Sequence, residues 1–346
     1  METPASHDLV VIGASAGGLQ ALFTILGALP PTLPAAIVVV VHTRSNGGVL
    51  PQVLGRRSAL PVQNAADDAG LEPGRVYVAP ADRHVLVAKK GLRVVRGPRE
   101  NGFRPAVDPL FRTAARSHGP GVIGVILSGA LDDGAYGLSA IVRRGGLAIV
   151  QDPDDAEVPS MPLAALRLTQ VHAVVPSSQI ADAIGQFCRQ PAGQEVRAMP
   201  RPDQPEPQRP ADDTQVADMM ALNGAPSPIT CPACGGALWE TEDEGVVRYA
   251  CHVGHQYAPD SLLAEHGEAV EQALWSAVRV LEQHAELRMR MAKRAQDAGI
   301  KMVAEGFAED SHNYHLQARH IRQLLLGQRD RVAADPAAVR RNAQAR

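Results

Sequence analysis

The sequence predicts an α/β protein: a doubly wound, mostly parallel sheet with helices on both faces, followed by a small ribbon-like module and a C-terminal α-helical hairpin. Three observations carry this. Short β-branched runs alternate with segments of helical period from residue 8 to about 189, the first run ends in a glycine-rich turn, and three of the four cysteines cluster late in the chain. Runs that are apolar throughout, instead of alternating with polar residues, are what a parallel sheet covered on both faces requires.

The elements run in order along the chain. Residues 9–12 form a short buried strand, and Leu19, Leu22, Phe23, Leu26 and Leu29 recur at helical spacing, so Gly13 to Gly18 lie in a strand-to-helix turn. Residues 35–41 make an unbroken apolar strand that ends in His42, and 48–57 read as helical. Residues 76–78 are a strand, and 84–88 turn through Lys89-Lys90-Gly91 into 92–95 as a small antiparallel hairpin. A helix over 107–118 precedes a strand over 121–127, which ends in Ser128-Gly129-Ala130-Leu131-Asp132-Asp133-Gly134. A helix over 135–144, strands at 147–150 and 173–175, and helices at 161–168 and 180–188 complete the alternation.

The glycine turn fits two chemistries. Glycines at a helix N-terminus admit a dinucleotide pyrophosphate, and Gly13-Ala14-Ser15-Ala16-Gly17 also matches the G-x-S-x-G elbow that projects a nucleophilic serine. The second strand decides between them: a dinucleotide site wants an acidic residue there for the ribose, whereas a hydrolytic serine wants a base, and the chain supplies His42. With an aspartate pair after the third strand, three loops at strand carboxyl ends carry a serine, a histidine and an acid, and such loops converge in an open α/β sheet. Asp132 and Asp133 cannot both orient the histidine, and an aspartate just before a helix also serves as an N-cap.

Bulk properties limit the partners. At 346 residues and 45% hydrophobic content the chain supports one sizeable domain and a second module. A net charge of −3 argues against nucleic acid, which requires a basic surface. The polar start running straight into a strand, with no long apolar run, predicts neither signal peptide nor membrane insertion. Few cysteines, clustered and without a disulfide framework, fit the cytoplasm.

Gly13-Ala14-Ser15-Ala16-Gly17-Gly18, the strand end at His42, Tyr77-Val78-Ala79-Pro80 through Asp82-Arg83-His84, the Gly129 to Gly134 loop, and Gln151-Asp152-Pro153 through Met161-Pro162 together resemble the catalytic domain of the CheB-type chemotaxis protein-glutamate methylesterases. The resemblance covers residues 8–189. It implies that Ser15, His42 and Asp133 match the family's triad, the family aspartate directly preceding the loop glycine. It also implies hydrolysis of γ-glutamyl methyl esters on methylated chemoreceptors with release of methanol, glutamine deamidation as a related activity, and no cofactor for catalysis. This chain has Ala16 and Ala130 where the family commonly has threonine and methionine, which keeps a second class in view, a degenerate esterase domain used as a signalling scaffold. The best-known members begin with a phospho-receiver domain, for which the residues before Ser15 leave no room.

Residues 190–228 hold eight prolines and no aromatic residue, the composition of an extended linker that would let the C-terminal modules move independently. A module over 229–258 then presents Cys231-Pro232-Ala233-Cys234 and, one hairpin later, Cys251-His252-Val253-Gly254-His255. This spacing predicts a structural zinc held by Cys231, Cys234, Cys251 and His255, with His252 the alternative fourth ligand. A helical hairpin over 259–328 comes next, with Val270, Leu274, Ala277, Val278 and Leu281 on one inner face and Val303, Phe307, Tyr314, Ala318, Ile321 and Leu325 on the other. His312, His315 and His320 read as solvated, and 329–346 as a disordered tail.

Overall fold

The computed structural model describes residues 7–42, 49–192, 224–243 and 246–334. The segment 43–48 after His42, most of the predicted linker, and the end of the predicted tail lie outside the described residues. The chain divides into two compact units, Met1–Leu263 and Ala264–Arg346.

The first unit is built on a seven-stranded parallel sheet. Its strands are β1 (Leu9–Ala14), β2 (Ala36–Val41), β3 (Val62–Asn64), β4 (Val76–Val78), β7 (Val122–Ile126), β8 (Leu147–Gln151) and β9 (Ala173–Val175), in spatial order β3-β4-β2-β1-β7-β8-β9. Every pair within it is parallel. β1, β2, β7 and β8 are buried along their whole length, which explains why their sequences are apolar apart from Gln151 at the end of β8, whose side chain accepts the Ser128 N–H. β3 has no such signal: at three residues, half-buried to exposed, it is an edge strand and carries neither an apolar run nor alternation long enough to read. β5 (His84–Ala88) and β6 (Gly91–Val95) form the expected hairpin as a separate two-stranded sheet.

Helices cover both faces. α1 (Gly18–Ala28), α2 (Leu50–Gly55) and α6 (Ser177–Cys188) pack Leu22, Ile25, Leu26, Leu54, Ile180 and Ile184 against one side of the sheet. α3 (Val107–His118), α4 (Ala135–Arg143) and α5 (Ser160–Leu168) pack Leu110, Phe111, Leu138, Ile141 and Met161 against the other. At roughly 1.5–3 kcal/mol per fully buried large apolar side chain, these two layers supply most of the drive to fold.

Beyond this sheet the chain forms a four-stranded antiparallel ribbon: β10 (Ala225–Thr230), β11 (Ala237–Asp243), β12 (Val246–Cys251) and β13 (Gln256–Tyr257). β10 begins inside the stretch that composition alone assigns to the linker. Pro226 and Pro228 are tolerated because β10 is an edge strand paired only to β11, with an irregular register between Pro226 and Thr230. The ribbon belongs to the same compact unit as the parallel sheet, which departs from the independent motion that the linker composition suggests.

The two long helices are α7 (Pro259–Asp297), entered through Pro259 at its first turn, and α8 (Lys301–Ala334). α8 runs on past Gly327, because Gln-Arg-Asp-Arg-Val-Ala-Ala contains no residue that breaks a helix. Within the second unit, the buried positions are Val278, Ala285 and Ala292 on α7, and Ala304, Ser311, Ala318 and Leu325 on α8. Both series step by seven residues, the period of a supercoiled seam. This seam corrects the expected faces at their ends, since Val270 and Val303 are exposed; a 3.6-residue pattern drifts off a seven-residue repeat over a long helix. The Ser311 hydroxyl donates to the Ala285 carbonyl at 2.8 Å across the seam, and Arg322 pairs with Glu282 at 2.6 Å. His312, His315 and His320 are exposed. No helix among the described residues is long and apolar enough to cross a membrane.

Candidate active site

β2 lies on one side of β1 and β7 on the other, so the strand order reverses at β1 and a crevice opens beyond the carboxyl ends of these strands. Ser15 leaves β1 there. Its turn requires Gly17, whose φ is +75°; a Cβ at that position would lie 2.5 Å from Glu157 Cβ and 2.7 Å from Ser128 Oγ. The Ser15 N–H donates to the Ser128 carbonyl at 3.0 Å, and the Gly18 N–H donates to the Ser15 carbonyl at 3.0 Å, tying the turn to the loop after β7. That loop passes so near the serine that a Cβ on Gly129 would stand 2.8 Å from Ser15 Cβ.

His42 directly succeeds β2, its N–H bonded to the Ala14 carbonyl at 3.1 Å. The imidazole side chain is only 3% exposed, and the Phe103 ring stacks on it at a centroid separation of 3.7 Å. Nδ1 stands 3.1 Å from Ser15 Oγ, and Nε2 stands 2.8 Å from Asp133 Oδ2. A carboxylate only accepts hydrogen bonds, so the imidazole proton belongs on Nε2 and the Nδ1 lone pair faces the serine. The two ring nitrogens thus exchange the roles they have in the protease template, where Nε2 faces the nucleophile. A serine, a base and an acid in this chain can transfer a proton away from Oγ as it attacks a carbonyl carbon.

The aspartate pair divides cleanly. Asp133, fully buried, accepts from His42 Nε2, from the Val107 N–H at 2.6 Å, from the Asp108 N–H at 3.2 Å and from Asn101 Nδ2 at 2.8 Å. Burial pushes its carboxyl up, but the hydrogen bond and charge of His42, with the Val107 and Asn101 donors, hold it below the ordinary value. Asp132 points elsewhere: it accepts from the Asp260 N–H at 3.2 Å and from the Ser261 hydroxyl. Burial pushes Asp132 up to about 6, against the Ser261 hydrogen bond and with help from the nearby charges of Asp260, Asp108 and Asp133. A raised acid binds its proton more tightly folded than unfolded. Its contribution to stability is therefore complete below about pH 4 and lost as pH rises through about 6; at about 1.4 kcal/mol per pH unit this is on the order of 3 kcal/mol. Asp132→Asn is expected to flatten that decline, gaining stability relative to wild type between pH 5 and pH 8 in denaturant titrations, and to lower turnover less than about tenfold.

Sequence reasoning did not single out Phe103, Asn101 or Asp108. Asn101 and Phe103 come from the segment 97–106, which has no period and whose local signals are the turn dipeptides Gly97-Pro98 and Asn101-Gly102, while Asp108 sits in the first turn of α3, where an acidic residue is ordinary. Asn101 is fully buried with φ at +52°, and its Nδ2 bridges Asp133 and Asp108, the latter at 3.1 Å.

In the ribbon, Cys231, Cys234, Cys251 and His255 place their ligand atoms within 4.8 Å of one another. Cys234 and Cys251 sulfurs are 3.6 Å apart, and His255 Nδ1 is 3.6 Å from the Cys231 sulfur and 3.5 Å from that of Cys251. A tetrahedron of ligands at about 2.3 Å has edges near 3.8 Å, so these separations suit a four-coordinate metal. His252 instead packs edge-on against Trp239, at 4.5 Å between centroids, and takes no part in the cluster.

A family model described as CheB methylesterase matches residues 10–184. A putative protein-glutamate methylesterase/protein-glutamine glutaminase of Leptospira interrogans is 41% identical over 180 residues, covering 51% of this chain and 93% of the relative. The protein-glutamate methylesterase FrzG of Myxococcus xanthus is 41% identical over 187 residues, covering 53% of this chain and 56% of that one. The protein-glutamate methylesterase/protein-glutamine glutaminase 1 of Paramagnetospirillum magneticum is 40% identical over 185 residues, and the match spans only 49% of it. Among solved structures, the CheB methylesterase catalytic domain of Thermotoga maritima aligns with a TM-score of 0.51 at 32% identity, covering 52% of this chain and 97% of that domain.

Proposed function

Since this chain belongs to the CheB methylesterase family, with residues 10–184 matched, we propose that it hydrolyses γ-glutamyl methyl esters on a methylated chemoreceptor and deamidates receptor glutamines at the same site. One observation carries the reading: Ser15 Oγ, His42 and Asp133 stand in a continuous hydrogen-bonded series, at 3.1 and 2.8 Å, at the switch point of the sheet.

On this reading Ser15 Oγ attacks the ester carbonyl while His42 Nδ1 takes its proton. Asp133 keeps the ring oriented and stabilises the imidazolium. The proton then passes to the departing methoxy oxygen, giving methanol and an acyl-serine, and a water activated by the same nitrogen releases the glutamate carboxylate. A glutamine side chain takes the same course with ammonia as leaving group. The test is methanol release from methylated receptor membranes by the purified full chain. Release that depends on protein concentration supports the reading, and its absence with intact fold leaves a scaffold role.

For the ribbon, we assign a structural zinc to Cys231, Cys234, Cys251 and His255, supported by the fit of the four ligand atoms. Bound there, the metal supplies a cross-link and no step of the chemistry. The purified protein is expected to carry one zinc per chain, released in step with thiol modification and read with a chromogenic chelator. A zinc-free protein with Cys231 and Cys234 joined by a disulfide would instead make this a redox pair. Thiols kept as ligands fit a reducing cytoplasm.

A further inference from the structure

The ribbon does more than share a unit with the parallel sheet; it bonds to the acids behind the serine and histidine. Asn101 is the joint. Its backbone N–H donates to the Gln256 carbonyl at 2.8 Å, its Oδ1 accepts the Ala258 N–H at 2.8 Å, and its Nδ2 serves Asp133 and Asp108. Gln256 to Ala258 come immediately after His255, a member of the metal-ligand set. Two further ties run in parallel: Asp132 accepts from the Asp260 N–H and the Ser261 hydroxyl, and the Arg248 guanidinium reaches Glu100 at 3.4 Å and Asp108 at 3.5 Å while lying over the Tyr136 ring.

An asparagine amide has one accepting end and one donating end, and its surroundings decide which way round it sits. At Asn101 the Ala258 N–H claims the oxygen, which turns the NH₂ toward Asp133. The Asp133 carboxylate, which only accepts, calls for the NH₂ as well, so the amide is held at both ends; with Ala258 withdrawn the buried oxygen keeps no donor, and an amide that shifts to find one weakens the bond on which Asp133 relies to remain an anion facing His42. Buried groups that orient a functional side chain matter by their direction, and losing one typically costs 10–100-fold at metal sites, where the same logic holds.

We propose that the ribbon is a working part of the active site: through the Ala258 N–H it sets the Asn101 amide, and Asn101 is a positioning residue for Asp133. This rests on the assignment of Ser15, His42 and Asp133 given above, and it makes metal occupancy of the ribbon a condition for a correctly set triad.

Two measurements on the zinc-loaded full chain test it. Asn101→Ala should lower kcat on a small glutamyl methyl ester by about 10–100-fold with KM within about twofold, because the binding crevice is untouched while the base is misaligned. Unchanged kcat in a folded variant overturns the proposal, as does a loss confined to KM. The second measurement needs no activity: hydrogen–deuterium exchange of the wild-type chain before and after zinc is stripped by a chelator. Faster exchange, by about tenfold or more, in 97–108 as well as in 231–258 supports the coupling; a change confined to 231–258 overturns it, whatever the variant does. A wild-type chain without esterase activity would defeat the functional reading alone, since the exchange experiment still decides whether the ribbon holds Asn101.

Discussion

Ser15→Ala is expected to reduce methanol release by on the order of 10⁴–10⁶-fold while leaving the thermal midpoint close to that of wild type. The size of the effect comes from chemistry: alanine has no oxygen to form the acyl intermediate, and His42 Nδ1 is left facing a methyl group. The small effect on stability comes from structure. Ser15 is half-buried, and the bonds that hold its turn are main-chain ones, from its N–H to Ser128 and from Gly18 to its carbonyl, both of which survive the substitution. The hydroxyl contributes one hydrogen bond, worth about 1 kcal/mol. Turnover retained within tenfold of wild type would sink the assignment of Ser15 and with it the esterase mechanism.

Asp133→Asn should be nearly as severe for turnover, near 10⁴-fold, and should also cost stability. Every partner of Asp133 is a donor: His42 Nε2–H and the Val107 N–H at Oδ2, Asn101 Nδ2 and the Asp108 N–H at Oδ1. An asparagine NH₂ must therefore meet donors whichever way it turns. Turned toward His42, it forces the imidazole into the other tautomer, placing a proton on Nδ1 and removing the base from Ser15, and it still abuts the Val107 N–H. Turned inward, it abuts Asn101 and Asp108. A buried donor left without an acceptor costs about 1–3 kcal/mol, so the denaturation midpoint should fall with kcat. The contrast with Asp132→Asn is the control, because the Ser261 hydroxyl can reverse its bond to accept from an amide, whereas the donors around Asp133 cannot. A larger loss of turnover in Asp132→Asn than in Asp133→Asn would reverse the assignment of the two acids.

Much of the frame is legible in the sequence, because the signals that carry it are local. Residues 35–41 and 121–127 are continuous apolar runs only a strand buried on both faces needs, and the glycines around Ser15 announce a turn that no side chain could occupy. Placing a serine, a histidine and an acid at the carboxyl ends of three parallel strands is then a consequence of the sheet topology. The cysteine spacing works the same way, two short turns each presenting ligands. β3 escaped because three residues at a sheet edge bury too little to imprint a pattern, and β10 because its prolines, harmless at an edge, resemble those of a linker.

What the amino-acid sequence determined by itself is therefore which segments are strands and helices, and that Ser15, His42 and one of two adjacent aspartates lie at neighbouring strand ends. The family resemblance named Asp133, and the spacing put His255 ahead of His252; the tertiary structure adds the contacts themselves, Asp133 on the histidine and His255 among the three cysteines, and it alone decided that Phe103 covers the imidazole and that Asn101 links Asp133 to the ribbon. The physical reason is separation along the chain. Asn101 meets Asp133 across 32 positions and Ala258 across 157, contacts between irregular segments whose meeting depends on how distant elements pack and leaves no periodicity in the residues that make it.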